Sequence, residues 1–232
     1  MYGYGMFWDP TYILVIIGVL ITMAASAGVN STYAKYRKVN SMSGLTGAEA
    51  AERILHGAGI YDVKIAHISG NLTDNYDPRT KVLHLSDSTF RSTSVAAIGV
   101  AAHECGHAIQ DAKDYAPLRI RGAIVQVVNF GSALSWPVIL VGVLFSFNHF
   151  LITLGILLFS LTVLFQLVTL PVEFNASGRA LRILRDSHIL YDDEVNKASK
   201  VLKAAAMTYV AGAAASLLQL LRLILLFGRR DD

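Results

Sequence analysis

Four long apolar segments constrain the fold of this chain more than any other feature. They lie at about 12–29, 124–147, 150–170 and 208–227, and each is close to the roughly 20 apolar residues that a membrane-spanning helix needs. Charged residues make up only 16% of the chain, against about 25% in soluble domains, and the mean hydropathy is +0.47. The sequence therefore predicts a mainly α, multi-pass α-helical membrane protein.

The distribution of basic residues predicts how the chain is oriented. Residues 30–123 contain 11 of the 20 Lys and Arg residues, and residues 172–207 contain 6. Cytoplasmic loops of membrane proteins carry an excess of Lys and Arg, and four spans place both polar stretches on the same side. We therefore expect a cell-membrane (inner or plasma membrane) protein whose polar stretches face the cytoplasm. Its net charge of +3 follows from this orientation, so no nucleic-acid partner is expected.

The first apolar segment is expected to be a retained anchor. The residues before it contain Asp9 and no Lys or Arg, whereas a cleaved signal peptide begins with a basic region. Prolines interrupt two of the other segments. We expect Pro137 to kink the second span and Pro171 to break or kink the chain at the end of the third.

The strongest chemical signal is the stretch His103-Glu104-Cys105-Gly106-His107. On a helix, residues i and i+4 share one face, so His103 and His107 can bind a single Zn²⁺. Glu104 lies beside them and can act as the general base on a metal-activated water, as in metallopeptidases. Cys105 points away from the histidines and is expected to pack in the interior.

The flanking residues favour this interpretation. Hydroxyl side chains at 92–94 can cap a helix, and the small apolar residues that follow predict a buried helix running through the motif to about Ala112. Buried imidazole and carboxylate groups are costly without a partner, and a metal ion is such a partner.

The sequence also indicates a third ligand, since catalytic zinc usually has three protein ligands. A metzincin would have Gly and His where this chain has Gln110 and Lys113, and a site-2-type intramembrane protease would carry an Asp in a later span, where this chain has none. Of the later glutamates, Glu194 suits the first turn of a helix. Glu173 lies among apolar neighbours, where an unpaired carboxylate is costly, and we assign it as the third ligand.

A small α+β region is expected to precede the motif. Residues 46–57 predict an amphipathic helix with a capping box formed by Thr46 and Glu49, and 63–68 and 82–85 predict two strands of a short β-hairpin. Such a hairpin could bind substrate backbone by strand addition. Asp74 and Asp77 are expected to form turns, and His67 and His84 to be strand residues without a metal role.

Three longer stretches carry a family resemblance. Residues 70–78 (GNLTDNYDP), 101–110 (AAHECGHAIQ) and 167–177 (LVTLPVEFNAS) resemble the YugP-type bacterial membrane neutral zinc metallopeptidases over nearly the whole chain. More distantly, the layout is similar to the HtpX and CAAX-prenyl gluzincin-type proteases. In those proteins an Asp follows the ligand Glu by four residues, and Ser177 stands at that place here. The resemblance implies a zinc-dependent peptidase with a membrane-associated protein or peptide as substrate.

Together these features predict five parts: 1–29, the tail and first span; 30–123, a cytoplasmic zincin-like catalytic part; 124–170, a membrane hairpin of two spans; 171–207, a cytoplasmic helix with the third ligand; and 208–232, the last span and tail. Candidates for stabilising the oxyanion or orienting a ligand are Ser177, Arg179, His188, Tyr191 and Tyr209. Arg179, Arg182 and Arg185 also suit a role as juxtamembrane, lipid-facing charges.

Two other functions remain open at this stage. An inactive zinc-binding membrane scaffold or regulator would have the same ligands but no use for Glu104. A metal transporter would carry ionisable residues in several spans, whereas only Arg222 lies inside one. The substrate and the oligomeric state do not follow from the sequence.

Overall fold

The computed structural model describes residues 9–228. Within them the elements run in the order α1 (Tyr12–Tyr36), α2 (Gly47–Gly57), β1 (Lys64–Ile68), β2 (Asn75–Asp77), β3 (Val82–Ser86), α3 (Val95–Ala112), α4 (Ala116–Leu144), α5 (His149–Asp186) and α6 (Asp192–Phe227). Two compact units result. The first unit comprises the described residues of 1–25, 120–170 and 208–232, and the second comprises 26–119 and 171–207.

The first unit holds the apolar parts of α1, α4, α5 and α6. All four helices are long and apolar enough to cross a membrane, which confirms the prediction of four spans. Large apolar side chains on them are open to the surroundings, among them Phe130, Leu144 and Phe150, each at least 70% exposed. Contiguous apolar surface of this kind is unfavourable in water and suits contact with lipid.

Both prolines lie inside continuous helices. α4 runs through Pro137 and α5 runs through Pro171, so a break of the chain at Pro171 was the wrong expectation. A proline removes one helical hydrogen bond, and long membrane helices tolerate this loss where neighbouring groups satisfy the freed carbonyl. As a result, the third apolar segment and the stretch with Glu173 belong to one helix of 38 residues.

The second unit contains a three-stranded mixed sheet with the strand order β1-β3-β2. β1 pairs with β3 in parallel, Lys64 opposite Val82, and β2 pairs with β3 antiparallel, Tyr76 opposite Leu83. The predicted hairpin between 63–68 and 82–85 is therefore wrong. Parallel strands need a crossover of about a dozen residues. The connection at 69–81 is long enough for this, and it contains β2, which pairs with β3 from the other side.

The helices of the second unit begin where the capping residues predict. Thr46 and Glu49 form the capping box of α2, and the Ser94 hydroxyl accepts a hydrogen bond from the Ala97 amide at the start of α3. The apolar face of α2 is buried against α3, with α5 and α6 completing the same core. This core makes α3 a central helix, with buried residues on most of its surface.

Small residues let α3 approach its neighbours closely. A Cβ atom at Gly99 would lie 3.2 Å from Ala198 Cβ on α6, and one at Gly106 would lie 2.6 Å from the Ala176 carbonyl oxygen on α5. Gly106 therefore sets the distance between α3 and α5 at the level of the His-Glu-x-x-His motif, and this close crossing determines the geometry of the site.

Candidate active site

The three predicted ligands converge where α3 crosses α5. His103 and His107 lie one turn apart on α3, and Glu173 faces them from α5. Glu173 Oε2 is 3.2 Å from His103 Nε2 and 3.6 Å from His107 Nε2. The Glu173 side chain is only 3% exposed, and those of His103 and His107 are 15% and 10% exposed. The site is thus nearly enclosed by protein and open on the histidine side.

A chain of hydrogen bonds orients His107 through Nδ1, the ring nitrogen that faces away from Glu173. Its Nδ1 lies 3.0 Å from Gln110 Oε1, while Gln110 Nε2 donates to the Val172 carbonyl at 2.8 Å and to Asn175 Oδ1 at 3.0 Å. These two donations fix the orientation of the amide, so its oxygen faces the imidazole. Since that oxygen can only accept, His107 Nδ1 must carry the proton. Nε2 is then the ring nitrogen that faces Glu173. Burial lowers the pKa of His107, but the facing Glu173 carboxylate raises it, and the pKa lies above its usual value.

His103 has a corresponding partner on α5. Its Nδ1 lies 3.1 Å from the Ser177 hydroxyl, four residues beyond Glu173. A hydroxyl can donate or accept, so this contact orients the ring without fixing its protonation. The two imidazole rings stand nearly perpendicular, at 85°, with centroids 4.8 Å apart. Both Nε2 atoms thereby point toward the same carboxylate.

The donor set fits a tetrahedral metal. A deprotonated Nε2 of His107 and the carboxylate of Glu173 would repel each other, so the pair needs a cation or a proton between them. Zinc binds His nitrogen and carboxylate oxygen at about 2.0–2.2 Å, which separates tetrahedral ligand atoms by about 3.3–3.5 Å. The observed separations of 3.2 and 3.6 Å bracket this range. All three ligand atoms lie within 4.8 Å of one another, and three protein ligands leave a fourth position for water.

Glu104 adjoins this cluster without belonging to it. Its side chain is buried, with a relative exposure of 8%, and it interacts electrostatically with both histidines and with Glu173. Burial raises the pKa of Glu104, and the two imidazoles oppose the rise. A carboxylate whose pKa is raised toward neutrality is better matched to taking up and returning a proton.

The remaining sequence candidates are spread more widely. Arg179 is half-buried and its Nε donates to Asn175 Oδ1 at 2.7 Å, so it continues the chain that begins at His107. His188 lies in the turn two residues beyond the end of α5, with a positive φ of 53° and an exposed side chain. It lies roughly 20 Å beyond Glu173 along the chain axis, at about 1.5 Å per residue, so the structure does not bring it to the site. Tyr191 is exposed at the start of α6, and Tyr209 belongs to the other unit.

The other titratable residues of the motif region have structural partners. Cys105 is buried and its thiol donates to the Ala51 carbonyl on α2 at 3.6 Å, in keeping with a packing role. His67 contacts Asp87 at 2.6 Å on the surface. Asp77 accepts from the Arg79 amide two residues on and so forms a turn, as predicted. Asp74 instead accepts from the Ser86 amide and hydroxyl, twelve residues on at the end of β3, so the turn role expected for Asp74 is wrong.

Sequence reasoning missed Gln110 and Asn175. In the sequence Gln110 stands out only as a departure from the metzincin pattern, yet the structure buries it completely. A usable signal was present, since Gln110 lies three residues after His107 and therefore on the same side of the helix. Asn175 lies two residues after Glu173, and nothing in its spacing distinguishes it from a surface residue.

Known proteins similar to this chain match it over a range that includes all residues of the site. The family model described as "Putative neutral zinc metallopeptidase" matches residues 11–228, almost the entire chain. The chain belongs to this family. It is also 46% identical over 220 residues to "Putative membrane protease YugP" of Bacillus subtilis (strain 168), covering 94% of this chain and 97% of that relative. No solved structure matches.

Proposed function

We propose that this protein is a zinc metalloendopeptidase of the gluzincin type that hydrolyses peptide bonds of membrane or membrane-proximal proteins. One observation carries the proposal. Glu173 Oε2 lies 3.2 and 3.6 Å from the Nε2 atoms of His103 and His107, close to the spacing of tetrahedral zinc ligands, and a buried carboxylate that is not a ligand, Glu104, lies beside them. A purely structural zinc site has no use for such a base.

The residues of the chain have distinct tasks in this reaction. When bound, zinc would polarise the scissile carbonyl and make its water more acidic. Glu104 takes the proton from the attacking water and returns it to the leaving amine. Gln110 and Ser177 keep the two imidazoles oriented through Nδ1, and Glu173 supplies a negative charge that lowers the net charge of the metal site.

The proposed orientation places the site in the cytoplasm. Its support is the concentration of Lys and Arg in residues 30–123 and 172–207, with 11 and 6 of the 20, because basic loops stay on the cytoplasmic side. The proposed partners are a protein or peptide substrate and the lipid bilayer.

The decisive experiment compares Glu104→Gln with Glu173→Ala in the detergent-solubilised, full-length protein. Fluorophore-labelled casein reports general peptidase activity, membrane proteomes of cells expressing each form report native cleavage, and elemental analysis reports bound zinc. We expect Glu104→Gln to retain zinc and lose about 10²–10⁴-fold in rate, the range for a general base, and Glu173→Ala to lose both.

Three results would count against the proposal. Cleavage by Glu104→Gln at the wild-type rate with full zinc would show that Glu104 is not the general base, and a wild-type protein that binds zinc but cleaves nothing would leave only a zinc-binding scaffold or regulator. Full zinc occupancy in Glu173→Ala would show that Glu173 is not a ligand.

A further inference from the structure

A basic pocket lies where α2, α3 and α5 meet, on the other side of α3 from the ligands. It has a volume of about 420 Å³, within the usual range of small-molecule sites. Ile109 lines it from α3. This residue follows His107 by two positions, which is about 200° around the helix. The pocket is therefore separate from the zinc site.

The charges in this pocket are strongly unbalanced. Four cationic side chains line it, while Asp186 is the one carboxylate in its wall; the cations are Arg53, Lys113, Arg179 and Arg182. Within residues 9–228, none of the four lies within ion-pair distance of a carboxylate. They come from three different elements, so the concentration of charge is a product of the fold and not of one helix face.

The wall between these cations is apolar. Ile54 and Ile109 are nearly fully buried, at 2% and 3% exposure, and Ile183 is half-buried beside them. An apolar wall with a cationic rim suits an organic anion better than a simple inorganic ion alone. A phosphate group on an organic molecule offers more oxygen acceptors than a carboxylate, so it can bind several Arg and Lys donors at once.

We propose that this pocket binds a phosphate group, carried either by the headgroup of an anionic lipid or by a free phosphate compound. Arg53 and Lys113 contribute from α2 and from the end of α3, and Arg182 contributes from α5. Arg179 is shared, because its Nε is bound to Asn175 in the chain that leads to His107. Its guanidinium group also lies over the Tyr115 ring, 5.9 Å from the ring centroid, and the Asn175 bond uses only Nε, so the terminal nitrogens can donate to a phosphate oxygen.

The test uses the full-length protein and leaves Arg179 intact so that the zinc site is undisturbed. The pocket variant is Arg53→Gln with Lys113→Gln, both exposed positions. The matched control is Lys200→Gln with Lys203→Gln, which removes two exposed lysines of α6 outside the pocket lining. Circular dichroism and thermal unfolding confirm that each variant folds.

Two probes distinguish the sources of phosphate. Calorimetric titration with inorganic phosphate measures the affinity of the protein for free phosphate. The protein is in neutral detergent and the ionic strength is constant. Native mass spectrometry after reconstitution in phosphatidylcholine with phosphatidylglycerol, and in phosphatidylcholine alone, counts retained anionic lipid. We expect the pocket variant to bind at least about tenfold more weakly than the control, since each lost cation removes a charge-assisted hydrogen bond.

Each possible result either supports one source of the phosphate group or overturns the proposal. Weakening with inorganic phosphate supports a free phosphate compound, and loss confined to retained phosphatidylglycerol supports a lipid headgroup. The proposal is overturned if the wild type binds neither probe, if the pocket variant binds as well as the wild type, or if the control loses as much as the pocket variant.

Discussion

Gly106→Ala tests whether the crossing of α3 and α5 sets the metal site. A Cβ atom at position 106 would lie 2.6 Å from the Ala176 carbonyl oxygen and 3.1 Å from Ala176 Cα. Both atoms belong to the backbone, so no side-chain rotation relieves the clash. Reaching an ordinary contact of 3.4 Å requires the helices to separate by about 0.8 Å.

Two effects follow from this separation. Overpacking costs about 1–3 kcal/mol, while Ala in place of Gly within a helix returns about 1 kcal/mol, so we expect a net destabilisation of up to about 2 kcal/mol. The gaps between Glu173 Oε2 and the two Nε2 atoms, now 3.2 and 3.6 Å, would widen beyond what one zinc ion can bridge. We expect zinc affinity to fall by about 10–100-fold, as for other changes that displace ligands.

Gly178→Ala is the matched control. It lies in α5, two residues beyond Ala176, and a Cβ atom there meets no heavy atom within 4 Å. It should therefore stabilise the protein by about 0.5–1 kcal/mol and leave zinc binding unchanged. Thermal unfolding with and without metal and competition with a chelator measure both quantities. Gly106→Ala with wild-type stability and zinc affinity would refute the role of this crossing.

Further predictions concern the hydrogen-bond chain and the orientation. Gln110→Ala should lower zinc affinity by about 10–100-fold because it frees the His107 ring and leaves the Val172 carbonyl without its donor; an unchanged affinity in chelator competition would contradict this. Tyr61→Cys introduces a thiol at a side chain that is 75% exposed, whereas the native Cys105 is buried. If the second unit faces the cytoplasm, an impermeant maleimide should label the introduced thiol only after cell lysis, and labelling of intact cells would reverse the proposed orientation.

The helical part of the fold could be predicted because its signals are local. Apolar length identifies the spans, and the hydroxyl of Ser94 and the capping box at Thr46 identify helix starts. The sheet could not be predicted in the same way. Whether β1 pairs in parallel or antiparallel with β3 depends on the path of residues 69–81, and the strand at 75–77 is too short to have a period of its own. Continuity through Pro171 likewise depends on tertiary context that overrides a local preference.

The residues of the site likewise fall into those that a local pattern identifies and those that depend on tertiary contacts. His103, Glu104 and His107 are identified by a spacing within one helix, and Glu173 by the cost of an unpaired carboxylate among apolar residues. Gln110 on α3 acts through hydrogen bonds to Val172 and Asn175 on α5, which lie 62 and 65 residues later in the sequence, and no local pattern encodes such contacts. The identity of these polar partners has a chemical consequence. Both histidines are oriented by neutral groups, an amide and a hydroxyl, whereas a carboxylate in these places would raise the basicity of the imidazoles. With neutral partners behind both rings, the carboxylate in contact with both imidazoles is that of Glu173, so we expect Glu173 to provide most of the electrostatic stabilisation of a bound zinc ion.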